Sequence, residues 1–141
     1  MKKTILTLLL AAMSTGAIAE WVETFVFTND KGTKFYANPS SINRAGSKAT
    51  MWTMMSSSTE LKMDDVKYRS FQSMNEYDCA QRLVRNIETR YYSEPMGGGF
   101  RVQEPERFRG NSPFGFDIST NTPADKSWEL ACGRKIGRAH V

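Results

Sequence analysis

Histidine is nearly missing from this chain of 141 residues: the single one, His140, stands next to the C-terminal end. Without imidazole elsewhere, a Ser-His or Cys-His nucleophile pair and histidine ligation of zinc or haem are not expected. Cysteine is almost as scarce. There are two, Cys79 and Cys132, and no C-x-x-C spacing that would mark a redox dithiol. No apolar run reaches the roughly 20 residues that a membrane-spanning helix needs. Internal repeats, low-complexity linkers and heptads are lacking as well.

What is present begins with the first 19 residues. Lys2 and Lys3, an apolar run from Ile5 to Met13, and small residues at Ala17 and Ala19 follow the order of a bacterial secretory signal peptide. Cleavage is expected after Ala19, with no transmembrane anchor retained. No cysteine stands at the cleavage site, so no lipid anchor is expected, and the mature protein is expected to be periplasmic or secreted. At the other end, Ile136 to Val141 is also the peptide that the sequencing-adapter stretch ATCGGAAGAGCACACGTC would encode. We expect this tail to be read-through and the domain to span residues 20–135. Resequencing with different adapters would retain the codons if that is wrong.

The ends also carry the charge asymmetry. The chain has 19 Lys+Arg against 15 Asp+Glu, and removing Lys2, Lys3 and Arg138 leaves 16 against 15. A near-neutral domain has no electrostatic footprint for nucleic acid, and no nucleic-acid partner is expected.

About 115 residues suffice for one domain with one core. Frequent aromatic residues and closely spaced turn signals predict a sheet-rich fold. Trp21 to Thr28 reads as a strand, followed by a turn at Asn29 to Gly32. Thr33 to Ala37 reads as a second strand that Asn38-Pro39 ends. Ile42 to Gly46 reads as a turn, Ser47 to Ser57 as a methionine-rich strand, Ser58 to Asp65 as a polar loop, and Val66 to Cys79 as a long strand. The next segment is ambiguous. Cys79, Leu83, Ile87 and Tyr91 recur every four residues, as on a helix, while period two puts Leu83, Ile87 and Tyr91 on one sheet face. Strand is favoured, because Ile87 to Glu94 is β-rich and meets a hairpin turn at Pro95 to Gly99. One helix is predicted over Pro123–Cys132: Thr122 caps it, Pro123 suits its first position, Asp125 sits three residues after the cap and Gly133 ends it. Ala124, Trp128, Ala131 and Cys132 share its inward stripe.

Two cysteines in an exported chain are expected to pair, so Cys79 and Cys132 read as a disulfide closing a loop of about 54 residues, worth roughly 4 kcal/mol. Gly97-Gly98-Gly99 lacks the following Lys-Ser/Thr of a phosphate loop and reads as a tight turn. Asp64-Asp65, Glu76/Asp78 and Glu104/Glu106 could form acid/base pairs, but solvated faces fit them better. Met51, Met54, Met55, Met63 and Met74 could hold copper(I) through their thioethers, though core filling is favoured. No cofactor and no enzymatic activity are expected. Arg69, Arg82, Arg85 and Arg90 interleave with Tyr68, Tyr77, Tyr91 and Tyr92, a composition suited to contact with protein or acidic polysaccharide, and equally that of a solvated strand face.

The motifs "KFYANPSSI", "TMWTMM", "YRSFQSMNEYDCAQR", "YYSEPMGGG" and "WELACG", in that order, resemble the surface-adhesin protein E family from Trp21 to about Lys135. The resemblance implies an α+β fold: an antiparallel sheet of about six strands, with a C-terminal helix tied across it by a disulfide. It also implies host extracellular-matrix proteins as partners, bound over about Lys67 to Arg90, and the Arg/Tyr face from Lys67 to Tyr92 is expected to contact extracellular-matrix or envelope proteins. Lys67, Arg69, Arg82, Arg85, Arg90, Tyr91 and Tyr92 are the candidate contact residues. The alternative is a soluble periplasmic small-molecule or envelope-stress module that uses the concave face beneath the helix.

Overall fold

The structure, a computed structural model, describes residues 20–27, 32–109 and 115–133. The expected leader, the turn at Asn29 to Lys31 and the tail from Ile136 lie outside the described residues. The elements run β1 (Val22–Val26), β2 (Thr33–Ala45), β3 (Lys48–Met63), β4 (Val66–Asp78), β5 (Leu83–Tyr92), β6 (Arg101–Val102), β7 (Phe116–Asp117) and α1 (Pro123–Cys132). The strands form one antiparallel sheet in the order β1-β2-β3-β4-β5-β6, and the short β7 pairs with β5 at the end opposite β6. This is the expected α+β architecture, with α1 lying across one face.

Three segments differ from the sequence reading. Asn38-Pro39 does not end β2, and Ile42 to Ala45 is strand; the turn is confined to Gly46-Ser47. Proline has no N–H for the ladder, and the register with β3 jumps from Asn38↔Trp52 to Asn43↔Thr50. Ser41 bridges the jump. Its hydroxyl donates to the Asn38 carbonyl at 2.7 Å and accepts from the Trp52 N–H at 2.9 Å, replacing the lost backbone bonds. The polar stretch from Ser58 is likewise strand, extending β3 to Met63 before a tight turn at Asp64-Asp65. Its polarity reflects solvent on both sides of a hairpin tip, not a loop. Arg107 reaches this turn, its Nε donating to Asp64 Oδ2 at 2.8 Å and a second guanidinium nitrogen to Oδ1. That bond holds the Asp64 carboxyl below its usual range.

The third difference sets the geometry of the site. β4 and β5 pair Met74↔Glu88 and then Asn75↔Asn86, so Ile87 is an extra residue in β5. Directly paired residues share a face and neighbours alternate. The bulge therefore turns Val84, Asn86, Thr89 and Tyr91 toward the helix, and Leu83, Arg85, Glu88, Arg90 and Tyr92 away from it. A single face for Leu83, Ile87 and Tyr91 does not survive, because one inserted residue inverts the alternation.

The core lies between sheet and helix: Ala37, Ala49, Met51, Tyr77, Ile118, Trp128 and Ala131 are buried there. The helix is pinned at both ends. Thr122 accepts from the Asp125 N–H, and Gly133 adopts the left-handed φ of 67° that ends the last turn. Arg44 of β2 donates to the Ala131 carbonyl at 2.8 Å and to the Leu130 carbonyl at 3.3 Å, the latter shared with the Gly133 N–H, in the last turn of the helix. Trp128 Nε1 donates to the Asp78 carbonyl at 2.9 Å, and Cys132 is bonded to Cys79 with their Cα atoms 5.5 Å apart. The methionines do not converge as a metal site would require. Met51, Met54, Met55 and Met63 are buried, but Met51 and Met55 face the helix while Met54 and Met74 face away.

Candidate functional site

On the face away from the helix, the pairings Glu76↔Arg85, Met74↔Glu88, Gln72↔Arg90 and Ser70↔Tyr92 line up four rungs of side chains, extended into β3 by Trp52↔Met74. Arg90 carries its guanidinium 4.9 Å from the centre of the Trp52 ring, and its Nε donates to Glu88 Oε1 at 2.8 Å. Arg85 donates to Glu76 at 3.2 Å, and Lys48 approaches the same carboxylate at 3.6 Å. The result is a ridge of guanidinium, indole and phenol groups whose charges are partly matched within the chain.

One end of this face is roofed by the Pro95–Gly97 turn. Ser56 and Ser70 hydroxyls accept from the Met96 and Gly97 N–H groups, both at 2.9 Å, and Ser70 donates to the Glu94 carbonyl at 2.6 Å. Gly97 has a φ of +71°, and a Cβ there would lie 2.5 Å from Gln72 Nε2. Glycine is needed because the turn folds flat onto the sheet.

Beneath the helix is a cavity of about 230 Å³, whose apolar wall includes Phe35, Met55, Phe71, Val84, Phe116 and Ala124. Its floor is polar. Asn75 Nδ2 donates to Thr53 Oγ1 and Tyr77 Oη at 3.2 and 3.4 Å, and Asn86 Nδ2 donates to Asn75 Oδ1 at 3.0 Å. Thr89 donates to Asn86 Oδ1 at 3.2 Å, and Ser73 lies 3.0 Å from Thr89 Oγ1. Burial raises the Tyr77 hydroxyl to about 12, against smaller lowering effects from its bonds to Asn75 and Ser127.

The residues singled out in the sequence fall into separate places. Arg85, Arg90 and Tyr92 share the face away from the helix. Tyr91 is on the helix side, its ring packed against Tyr68 and Phe71 at 5.1 and 5.7 Å, and burial raises its hydroxyl. Lys67 and Arg69 stand near the β3–β4 hairpin tip, bonded to Glu60 and to the Ser58 carbonyl at 3.6 and 3.4 Å. Arg82 belongs to the helix: it donates to Asp125 at 2.6 Å and lies 4.8 Å from the centre of the Trp128 ring. The carboxylate pairs are committed elsewhere, Glu76 to Arg85 and Lys48, and Asp78 to the Ala80 and Gln81 N–H groups at 3.0 and 3.1 Å. Among the described residues no cluster of His, Cys, Asp and Glu could hold a metal ion. Sequence reasoning missed Trp52 and the Asn75–Asn86 pair. In "TMWTMM" only the methionines were given a role, as core filling, and the Asn75↔Asn86 pairing is set by the register of β4 and β5.

No curated protein matches this chain. Among solved structures, protein E of Haemophilus influenzae in its crystal form II is similar with a TM-score of 0.57 at 16% identity, over 78% of this chain and 91% of that one. Protein E from non-typeable Haemophilus influenzae gives 0.55 at 15% identity, over 79% of this chain and 75% of that one. At such identities the likeness speaks for the fold. The model of the family Surface-adhesin protein E matches residues 21–133. This chain belongs to the Surface-adhesin protein E family.

Proposed function

We propose that the chain is an exported, non-catalytic binding domain that adheres to extracellular-matrix or envelope proteins through the sheet face away from the helix. Arg85, Arg90 and Tyr92 with Trp52 make the contact surface, and Lys67 and Arg69 extend it toward the hairpin tip. Arg82 and Tyr91 hold the scaffold behind it. The observation that carries the reading is the Arg90–Trp52 stack, held by Glu88. Arginine and the large aromatics dominate binding energy at protein interfaces, and an arginine whose geometry is fixed beforehand loses less entropy on docking. Export rests on the leader and on family membership.

The test is binding of the mature domain to a panel of purified, immobilised extracellular-matrix proteins. Arg90→Ala and Tyr92→Ala should each weaken binding at least tenfold, while Lys126→Ala on the helix leaves it unchanged. A panel that is not bound at all, or binding indifferent to both variants, would reject the reading. Labelling of intact cells separates surface display from periplasmic residence, since a periplasmic protein stays unlabelled until the outer membrane is opened.

A further inference from the structure

We infer that the cavity beneath α1 is a second site, which takes a small, neutral, largely apolar molecule of about phenol to indole size carrying one O–H or N–H donor. This inference is independent of the adhesive face, from which the sheet itself separates it. Size comes first. A cavity of about 150 Å³ holds benzene in another protein, whereas drug-sized ligands need roughly 300 Å³ or more. The 230 Å³ here lies between the two. Charge comes second: Phe35, Met55, Phe71, Asn75, Asn86 and Ser127 typify a lining with no ionisable side chain except the tyrosines. Taking an ion out of water into such surroundings is costly without a partner, so anionic and cationic ligands are disfavoured.

The hydrogen-bond inventory gives the polarity of the ligand. Both hydrogens of Asn75 Nδ2 are used, on Thr53 and Tyr77, and both of Asn86 Nδ2, on Asn75 Oδ1 and the Glu88 carbonyl. Thr53 donates to the Ser73 carbonyl, and Thr89 gives its only hydrogen to Asn86 Oδ1. The bond between Ser73 and Thr89 is therefore donated by Ser73. With those hydrogens spent, what Asn75, Asn86 and Ser73 have left to offer is oxygen lone pairs; of the other hydroxyls in the wall, Tyr77 and Ser127 are bonded to each other. An apolar molecule that donates one hydrogen bond satisfies them, and one that only accepts does not. The strand register sets this arrangement in the free protein: Asn75 pairs with the inward Met51 on one side and with Asn86, next to the Ile87 bulge, on the other.

The probes are phenol, indole, toluene and benzoate, titrated into the isotope-labelled mature domain and followed by amide chemical shifts. Phenol and indole should shift signals around Asn75, Asn86 and Ala124 saturably. Toluene, of phenol's shape but without the donor, should bind at least tenfold more weakly, and benzoate should not bind. Ala124→Phe should abolish binding by filling the cavity, and Asn86→Leu should bring phenol and toluene closer together; the closed disulfide confirms folding of both. Toluene binding as tightly as phenol, shifts confined to the face away from the helix, or no saturable shift with any probe would each overturn the site. The phenol-to-toluene comparison needs no variant, so it stands even where a substitution fails to fold.

Discussion

Asp125 retains 2% of its surface, and both its carboxyl oxygens are occupied: Oδ1 by Arg82 at 2.6 Å and Oδ2 by the Asn121 N–H at 2.8 Å. The sequence suggested the cap because Thr122, Pro123 and Asp125 are neighbours in the chain. It could not suggest Arg82, whose partner is 43 residues away, and so Arg82 read as a surface contact. Breaking a buried pair by removing one partner costs about 3–5 kcal/mol. The Arg82 side chain is 34% exposed, so water recovers part of this. Arg82→Ala, which strands the buried Asp125 carboxylate without its cation, is expected to lower stability in urea denaturation by roughly 2–3 kcal/mol, whereas an Arg82 acting only as a surface contact would leave that variant near wild type. Tyr77 supplies a pH dependence. Its hydroxyl is raised from 10.0 to about 12 in the fold, so the unfolded chain loses this proton first. The contribution is whole below about pH 10 and disappears as pH rises toward about 12, amounting to roughly 2–3 kcal/mol. An ultraviolet titration should find Tyr77 among the last tyrosines to ionise, and Tyr77→Phe should flatten the alkaline fall in stability. Ionisation of Tyr77 together with the half-buried tyrosines Tyr36 and Tyr92 would contradict its burial.

At the scale of elements, legibility followed how local each signal was. The helix, the presence of the strands around Met51 and Phe71, and the glycine turn were readable because caps, strand-forming runs and turn residues act within a few positions. Pro39 and Ile87 were not, since a bulge is defined by the strand opposite. The disulfide lies between these cases: two cysteines implied a bond and Cys132 was placed at the end of the helix, but the Arg44 contacts beside it come from residues far apart in the chain. Cys79→Ser and Cys132→Ser should therefore destabilise by similar amounts, about 2–5 kcal/mol each. The double variant should cost little more than either single, because the second change has no bond left to remove. Thiol assays on the unfolded, unreduced protein should find essentially no free thiol. Additive losses from the two single variants would mean that each cysteine has a separate role.

Considered whole, the molecule uses one sheet twice. The face away from the helix displays charge and aromatic rings, and the face toward it encloses the core and a cavity, with β4 and β5 contributing to both through alternate residues. That sharing makes the independence of the two faces a testable property. Side chains on opposite faces of a strand do not touch, and substitutions without shared partners add within about 0.3–0.5 kcal/mol. Arg90 and Tyr92 point outward, while Asn86 points inward and makes its side-chain bonds with Asn75, Thr89 and the Glu88 carbonyl. Glu88 links the two faces, since its carboxylate holds Arg90 and its carbonyl receives Asn86. Arg90→Ala should weaken binding to matrix proteins and leave the affinity for phenol within twofold of wild type. Asn86→Leu should do the reverse, and Arg90→Ala combined with Asn86→Leu should reproduce both losses unchanged. Measured side by side, a loss of phenol affinity in Arg90→Ala would mean that the β5 backbone shifts between the two faces. In that case the bulge at Ile87, which gives Glu88 its double role, would be the coupling element, and occupation of the cavity would change adhesion by the same factor that adhesion changes occupation.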